Sequence, residues 1–423
     1  MHRSALYLFF AIAIIGLPGT AATFHARGYT SYQKTATLTD SRSVTPVISI
    51  PFELVNRHIV LKVKVNNSRP LSFLLDTGDR YAIINLDRAK EFGLKLQGEV
   101  RMGGAGGAEV PTGAFVQEAT FTVPGLSGFA QPVTLALPIG RLASRLGQDF
   151  DGIIGSEFIK EFVVEIDYQA KVLRFHDKSE FKYSGAGESV PVQVNLIGHG
   201  SGHPIMDAEV TPIGGEAIRG RFVLDIGSGA ALALYSPFVA THHLPGPNMK
   251  TIKALGAGTG GEITGQTGRV ATLQIGKFKI NNLTAMFSQD TAGAFADPNL
   301  AGNIGAQIAS KFRLFLDYTR ERIIFEPNSA FAEPFEQASG GLSLRAEGND
   351  YRTFRIKTVL ENSPASEAGL QTSDIITAID GRSAAEFTLS RINEMFERPV
   401  SYKLTIKRGE QTLKVTLTPR KLV

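Results

Sequence analysis

The sequence predicts a mainly β chain in which one module is used twice and a smaller unit follows it. Three observations predict this. Phe73 to Asn85 reads FLLDTGDRYAIIN and Phe222 to Leu234 reads FVLDIGSGAALAL, one apolar-Asp-x-Gly-apolar phrase in two copies. Asp151 to Phe175 (DGIIGSEFIKEFVVEIDYQAKVLRF) aligns with Ala301 to Phe325 (AGNIGAQIASKFRLFLDYTRERIIF), and Gly152, Ile154, Gly155, Phe162, Asp167, Tyr168 and Phe175 each meet the same residue. The acids stand 149 residues apart (225 − 76) and the glycines 150 (302 − 152), so one net residue separates the two registers and the phrases mark a duplication. Finally, 44 glycines punctuate short runs rich in Val, Ile, Thr and Phe, the composition of strands joined by tight turns.

A chain of 423 residues with 43% hydrophobic content can pack two or three domains. Its net charge of +4 is spread along the chain, which gives no support to a nucleic-acid surface. The absence of cysteine excludes a disulfide framework and a lipidated cysteine.

Residues 1–22 read as a secretory signal peptide: His2 and Arg3, an apolar run from Ala5 to Leu17, then Pro18-Gly19-Thr20-Ala21-Ala22. The expectation is export to the periplasm or outside the cell, with no membrane span once the leader is removed; a retained N-terminal anchor is the alternative. Residues 23–44 are polar, lack an apolar period and read as a linker or irregular arm.

His58 to Val65 (HIVLKVKV) alternates like a half-exposed strand, turns at Asn66-Asn67 and leads into the strand that ends at Asp76. Ala82-Ile83-Ile84 continues as a strand, and Asp87 to Phe92 fits a short helix ended by Gly93. Asp76 and Asp225 each follow an apolar strand and precede glycine after one residue. A carboxylate in such surroundings is costly unless hydrogen-bonded, paired or performing chemistry, which makes both acids candidate functional residues. Two glycine-dense stretches follow the acids, Arg101 to Gly113 and Ile252 to Gly268.

Asp-Thr-Gly after an apolar strand, then a glycine-rich segment, then apolar-apolar-Gly before a short helix, resembles the aspartic peptidases, most closely their retropepsin-like bacterial branch. The resemblance runs from about Pro51 to Pro327. It implies two β-barrel lobes, residues 45–185 and 186–330, whose acids meet in a cleft. It further implies an endopeptidase whose Asp76 and Asp225 activate a water, supported by Thr77, Gly78, Gly227 and Ser228, with no cofactor and no metal. The glycine-rich stretches then become flap candidates at Gly103, Gly104, Gly106, Gly258 and Gly260; plain hairpin loops are the alternative. The chain departs from the pattern at three places. Ile226 lacks the hydroxyl of its counterpart Thr77, Asp79 adds a third carboxylate that Arg80 could neutralise, and Asn303 stands where lobe one has Ile153.

Gly198 to Pro204 (GHGSGHP) and His242-His243 hold four of the eight histidines, without carboxylates at a ligand spacing, and read as surface loops. From Phe335 the duplication stops. Ser339 to Leu344 (SGGLSL), Val359 to Leu370 (VLENSPASEAGL) and Asp374 to Gly381 (DIITAIDG) resemble a bacterial-type PDZ domain over residues 335–421. The resemblance implies that Gly340-Gly341-Leu342 presents N–H groups to a peptide C-terminus, that the next strand receives the peptide, and that a helix near Leu389 to Phe396 forms the other wall. The expected whole is a monomeric exported aspartic endopeptidase acting on peptide or protein substrates, with a C-terminal peptide ligand at the PDZ. The alternative is a degenerate peptidase fold that binds peptides, or a PDZ adaptor.

Overall fold

Each acid lies at the end of a strand whose residues just before it are buried on both faces. His58–Val65 pairs antiparallel with Leu71–Leu75 through a turn in which Asn66 takes φ 50° and Ser68 Oγ accepts from Val65 N at 2.9 Å. Leu71–Leu75 then runs parallel to Gly152–Ile154, which is antiparallel to Ala82–Asn85, itself parallel to Thr134–Leu137. The second copy repeats this order. Ile218–Asp225 is parallel to Gly302–Gly305, which is antiparallel to Leu232–Leu234, itself parallel to Phe278–Ser288. Strands flanked on both edges and packed on both faces read as unbroken apolar runs, which is why FLL and FVL precede the acids. The repeated glycine has a steric reason: a Cβ on Gly152 would overlap the Phe73 ring and the Ile83 carbonyl, and one on Gly302 the Ala233 carbonyl.

The structure is a computed structural model describing residues 13–14, 48–106, 110–131, 133–194, 202–335 and 338–423. The expected signal peptide and arm lie outside these residues, apart from Ala13–Ile14, a short strand beside Met102–Gly103.

The second repeated phrase joins the two copies. Val163–Asp167 pairs antiparallel with its counterpart Phe312–Asp317, Val164 facing Leu316 and Asp167 facing Arg313. They form the centre of a six-stranded sheet in the order Glu188–Pro191, Arg322–Pro327, Phe312–Asp317, Val163–Asp167, Val172–His176, Ile48–Pro51. A pseudo-twofold axis thus runs between the two central strands, and one apolar core, including Phe73, Phe222, Leu224, Ile226 and Leu314, extends through both lobes. The molecule is mainly β, as the sequence predicts.

The C-terminal unit has its own core around Phe354, Ile356, Ile392 and Leu404. Its sheet runs Leu342–Glu347, Thr353–Val359, Ile375–Ile379, Tyr402–Arg408, Gln411–Leu417, with the first strand at an edge. Helix Leu389–Phe396 starts where Thr388 accepts from Arg391 N, and Pro364–Glu367 starts at Ser363 with proline in its first turn. Arg269 of the second lobe hydrogen-bonds the carbonyls of Val423 and Phe335, fixing both ends of this unit to the lobes.

Candidate active site

The pseudo-twofold axis brings Asp76 and Asp225 together, both fully buried. They lie close enough to share a hydrogen bond. Gly78 N donates to Asp76 Oδ1 at 2.7 Å, and Asn303 Nδ2 donates to Asp225 Oδ2 at 2.8 Å. Among the described residues, Asp76 Oδ2 and Asp225 Oδ1 receive no donor. Gly227 admits no side chain, because a Cβ there would overlap the Asp76 carboxylate. Backbone N–H groups of Gly227 and Ser228 reach Asp225.

Burial raises the pKa of Asp76 well above the carboxylate range, and the charges of Asp225 and Asp79 raise it further. Burial also raises Asp225, but the Asn303 amide and the loop N–H groups oppose the shift. Both are shifted upward and each feels the other, so the two carboxylates titrate as one unit.

The loops are gripped from one side by a hydroxyl. Thr77 Oγ1 donates to Leu224 O at 2.6 Å and accepts from Ile226 N at 3.0 Å, reaching across the lobes. Ile226 gives nothing polar in return and packs into the shared core. Two histidines grip from both sides: His58 hydrogen-bonds the backbone of Gly227, and His203 that of Gly78. The expectation of His203 as a surface residue is corrected, since it is only 3% exposed; its burial comes from the other lobe's acid loop, which local sequence does not announce. His242 and His243 are exposed as expected.

Asp79 is also fully buried, accepting from Tyr81 N at 3.0 Å. Burial raises its pKa well above normal, with the Asp225 charge adding to the shift. Arg80 does not neutralise Asp79. Its Nε lies 2.8 Å from Glu157 Oε1, because Ser156 and Glu157 donate their N–H groups to the carbonyls of Asp79 and Arg80 and so carry Glu157 to that side chain.

The two glycine-rich loops meet. Gly260 N donates to Ala105 O at 2.9 Å, Gly106 abuts Gly261 and Gly258 abuts Ala105, each too closely for a side chain. Gly103 ends strand Lys95–Gly103, and Gly104 O accepts from Ala294 N at 3.3 Å. Arg141 donates to Thr259 O in the second of these loops. In the C-terminal unit, Gly341 takes φ +73° and its N–H donates to Ser339 Oγ at 3.1 Å, while Gly340 lies beside Leu342, Phe396 and Leu417. Sequence reasoning missed the roles of His58, His203 and Arg141, whereas the departures at Ile226, Asp79 and Asn303 were visible.

The aspartyl protease family model matches residues 61–158, and the PDZ domain model matches residues 331–407. No curated protein matches the chain. Solved structures similar to it include an aspartic proteinase from Irpex lacteus, 13% identical over 68% of this chain and 99% of that one, with a TM-score of 0.41. Basic 7S globulin from soybean is 10% identical over 67% of this chain and 95% of that one, TM-score 0.40. A photosystem II D1 C-terminal processing protease is 19% identical over 21% of this chain and 24% of that one, TM-score 0.19. The second lobe lies beyond the family match, and its kinship to the first rests on the repeated phrases and the repeated strand order.

Proposed function

Taking an aspartyl-protease segment at 61–158 and a PDZ domain at 331–407 as the premise, we propose that the chain is an exported aspartic endopeptidase whose two acids belong to one molecule. The observation that carries this reading is a pair of fully buried carboxylates, one from each copy of the repeat, brought together where the lobes meet. Asp225, the ionised partner, takes a proton from a water as it attacks the peptide carbonyl. Asp76 gives its proton to the carbonyl oxygen, forming a gem-diol; as the C–N bond breaks, Asp225 passes its proton to the leaving amine and a gem-diol hydroxyl returns a proton to Asp76. Donors fixed at Gly78, Gly227, Ser228 and Asn303 need no rearrangement during the reaction. No metal or cofactor enters this chemistry. The PDZ supplies a site for peptide C-termini.

The test is cleavage of an unstructured protein substrate by Asp76→Asn and Asp225→Asn chains. Each loses kcat/KM by on the order of a thousandfold or more, because each acid has a part the other cannot take. Mixing the two variants restores nothing. Substantial activity in Asp225→Asn alone sinks the reading and moves the chemistry to a dimer of first lobes. Peptide binding without cleavage by the unaltered chain favours the degenerate, peptide-holding alternative.

A further inference from the structure

Strand Leu342–Glu347 and helix Leu389–Phe396 lie side by side as the two walls expected of a PDZ peptide groove, and the two ends of the space between them differ. At one end Gly340 sits beside Phe396, the last residue of the helix, among Leu342 and Leu417. That end is apolar and suits an apolar C-terminal side chain. At the other end the first lobe reaches in. Its short helix Ala143–Leu146 packs on strand Leu342–Glu347, with Arg345 donating to Ser144 Oγ at 3.3 Å. Gly147, which ends that helix at φ +76°, lies so close to Leu389 that it has no room for a Cβ. The segment therefore touches both walls.

Turn residues Asn56 and Arg57 hold the same helix from outside. Asn56 N donates to Ser390 Oγ at 3.1 Å, Asn393 donates to Asn56 Oδ1 at 3.0 Å, and Arg57 pairs with Glu397 at 2.5 Å. Asn56 Nδ2 also donates to the carbonyls of Arg145 and Leu146, which ties the turn to the inserted segment. Asn56 and Arg57 take φ of 48° and 71°; two successive left-handed residues suit a tight hairpin, but Arg at the second is costly and needs support from outside the turn.

Both contacts continue to the acids. His58 follows Arg57 and bonds Gly227, and both His58 and Asn56 O lie against Gly229 in the Asp225 loop. Arg141, just before the inserted helix, bonds Thr259, whose neighbour Gly260 bonds the opposite glycine-rich loop. In this arrangement both acids are inaccessible.

We propose that Ala143–Gly147 caps the upstream end of the PDZ groove as an internal occupant, and that a C-terminal peptide long enough to displace it opens the site that holds Asp76 and Asp225. Length decides which peptides do so. The eight-residue helix spans about 12 Å at roughly 1.5 Å per residue, and an extended peptide at about 3.3 Å per residue covers that with three or four residues. A tripeptide fits between the Gly340 loop and Gly147, whereas an octapeptide must push the segment aside. The displacement costs affinity and returns as a shifted equilibrium at the acids.

The activating half of this proposal rests on the peptidase reading; the capping half does not. The test uses the full chain, peptides of three and eight residues that end in valine with a free carboxylate, and amidated versions as controls. In the Arg57→Ala/Asn393→Ala chain, octapeptide affinity rises about tenfold while tripeptide affinity stays as in the unaltered chain. In the unaltered chain the octapeptide, not the tripeptide, speeds cleavage of a short quenched substrate and speeds amide exchange at residues 143–147. Equal response of the two peptide lengths to the double variant overturns the cap, as does octapeptide binding without faster exchange at that segment. Octapeptide binding that loosens the segment but leaves turnover unchanged overturns the link to the acids. The binding and exchange arms are repeated on Asp225→Asn, so a chain that never cleaves refutes the peptidase reading while leaving the cap tested.

Discussion

His203 of the second lobe hydrogen-bonds the backbone of Gly78 in the first, and His58 of the first bonds Gly227 in the second, so each acid loop is held by an imidazole from the opposite lobe. Both rings are buried, and burial lowers their pKa values to about 4, with the Arg57 charge adding to the effect at His58. Between about pH 6.5 and pH 4 the unfolded chain takes up protons that these rings refuse in the native state. Stability contributed here is complete above pH 6.5, falls as the pH drops to about 4, and levels off below. Asp76 and Asp79 act in the opposite sense, since raised acids favour the native state at low pH. Comparison of variants separates the two. In His58→Gln/His203→Gln, the midpoint of thermal unfolding should decline less between pH 6.5 and 4 than in the unaltered chain. Parallel declines would show that the rings do not titrate differently on folding.

Asp79 places a third carboxylate beside the pair. Its charge is one of two that resist loss of the proton on Asp76, after burial itself. Asp79→Ser should move the basic limb of the kcat/KM profile to lower pH by about one pH unit. It should also raise the thermal midpoint at neutral pH, because a buried carboxylate whose Oδ2 receives no donor costs stability once it must ionise. An unmoved limb shows that the acids do not feel Asp79.

Thr77 is the sole hydroxyl joining the two acid loops among the described residues, with Leu224 O and Ile226 N as its partners. Thr77→Val leaves a buried carbonyl and a buried N–H without it. The expected cost is about 2–4 kcal/mol in urea unfolding. Thr77→Ser should recover most of that. A cost below about 1 kcal/mol for the valine would mean that the lobes close without the grip.

The duplication made much of this legible. Two apolar strands ending in Asp-x-Gly, and two copies of the phrase around Gly152 and Gly302, predict two like modules, and the paired strands of the central sheet are that phrase meeting itself at Val164 and Leu316. What stayed hidden depends on partners far away in sequence. His58 opens an alternating strand that reads as half-exposed, yet residues His58 to Leu61 are all buried, because the opposite lobe closes over them. Arg80 stands next to Asp79 in sequence but pairs with Glu157, 77 positions on, which strand register brings alongside. The inserted helix Ala143–Leu146 has no motif, and its contacts with Leu342–Glu347 depend on how the domains dock.

Asn303 is where the repeat itself breaks in a useful way. Its counterpart Ile153 lies across from Leu74, and Asn303 lies across from Val223, in the same register beside the acid strand. The first lobe therefore offers its acid a methyl-bearing neighbour, and the second offers an amide, whose Nδ2 is 2.8 Å from Asp225 Oδ2. Two identical lobes would present two equivalent acids, and nothing would decide which of them holds the proton. The amide biases it, because it favours the ionised form of Asp225, while the negative charges of Asp225 and Asp79 hold a proton on Asp76 more firmly. Asn303→Ile restores the repeat and removes that bias. A hydrogen bond to a charged group contributes roughly 1.5–3 kcal/mol, so the acidic limb of kcat/KM should rise by about one pH unit or more and kcat should fall about tenfold or more. Asn303→Asp should shift the same limb further, since it replaces a donor with a competing carboxylate. If Asn303→Ile leaves both the limb and kcat unchanged, the pair orders its proton without the amide, and the assignment of Asp225 as the ionised partner fails.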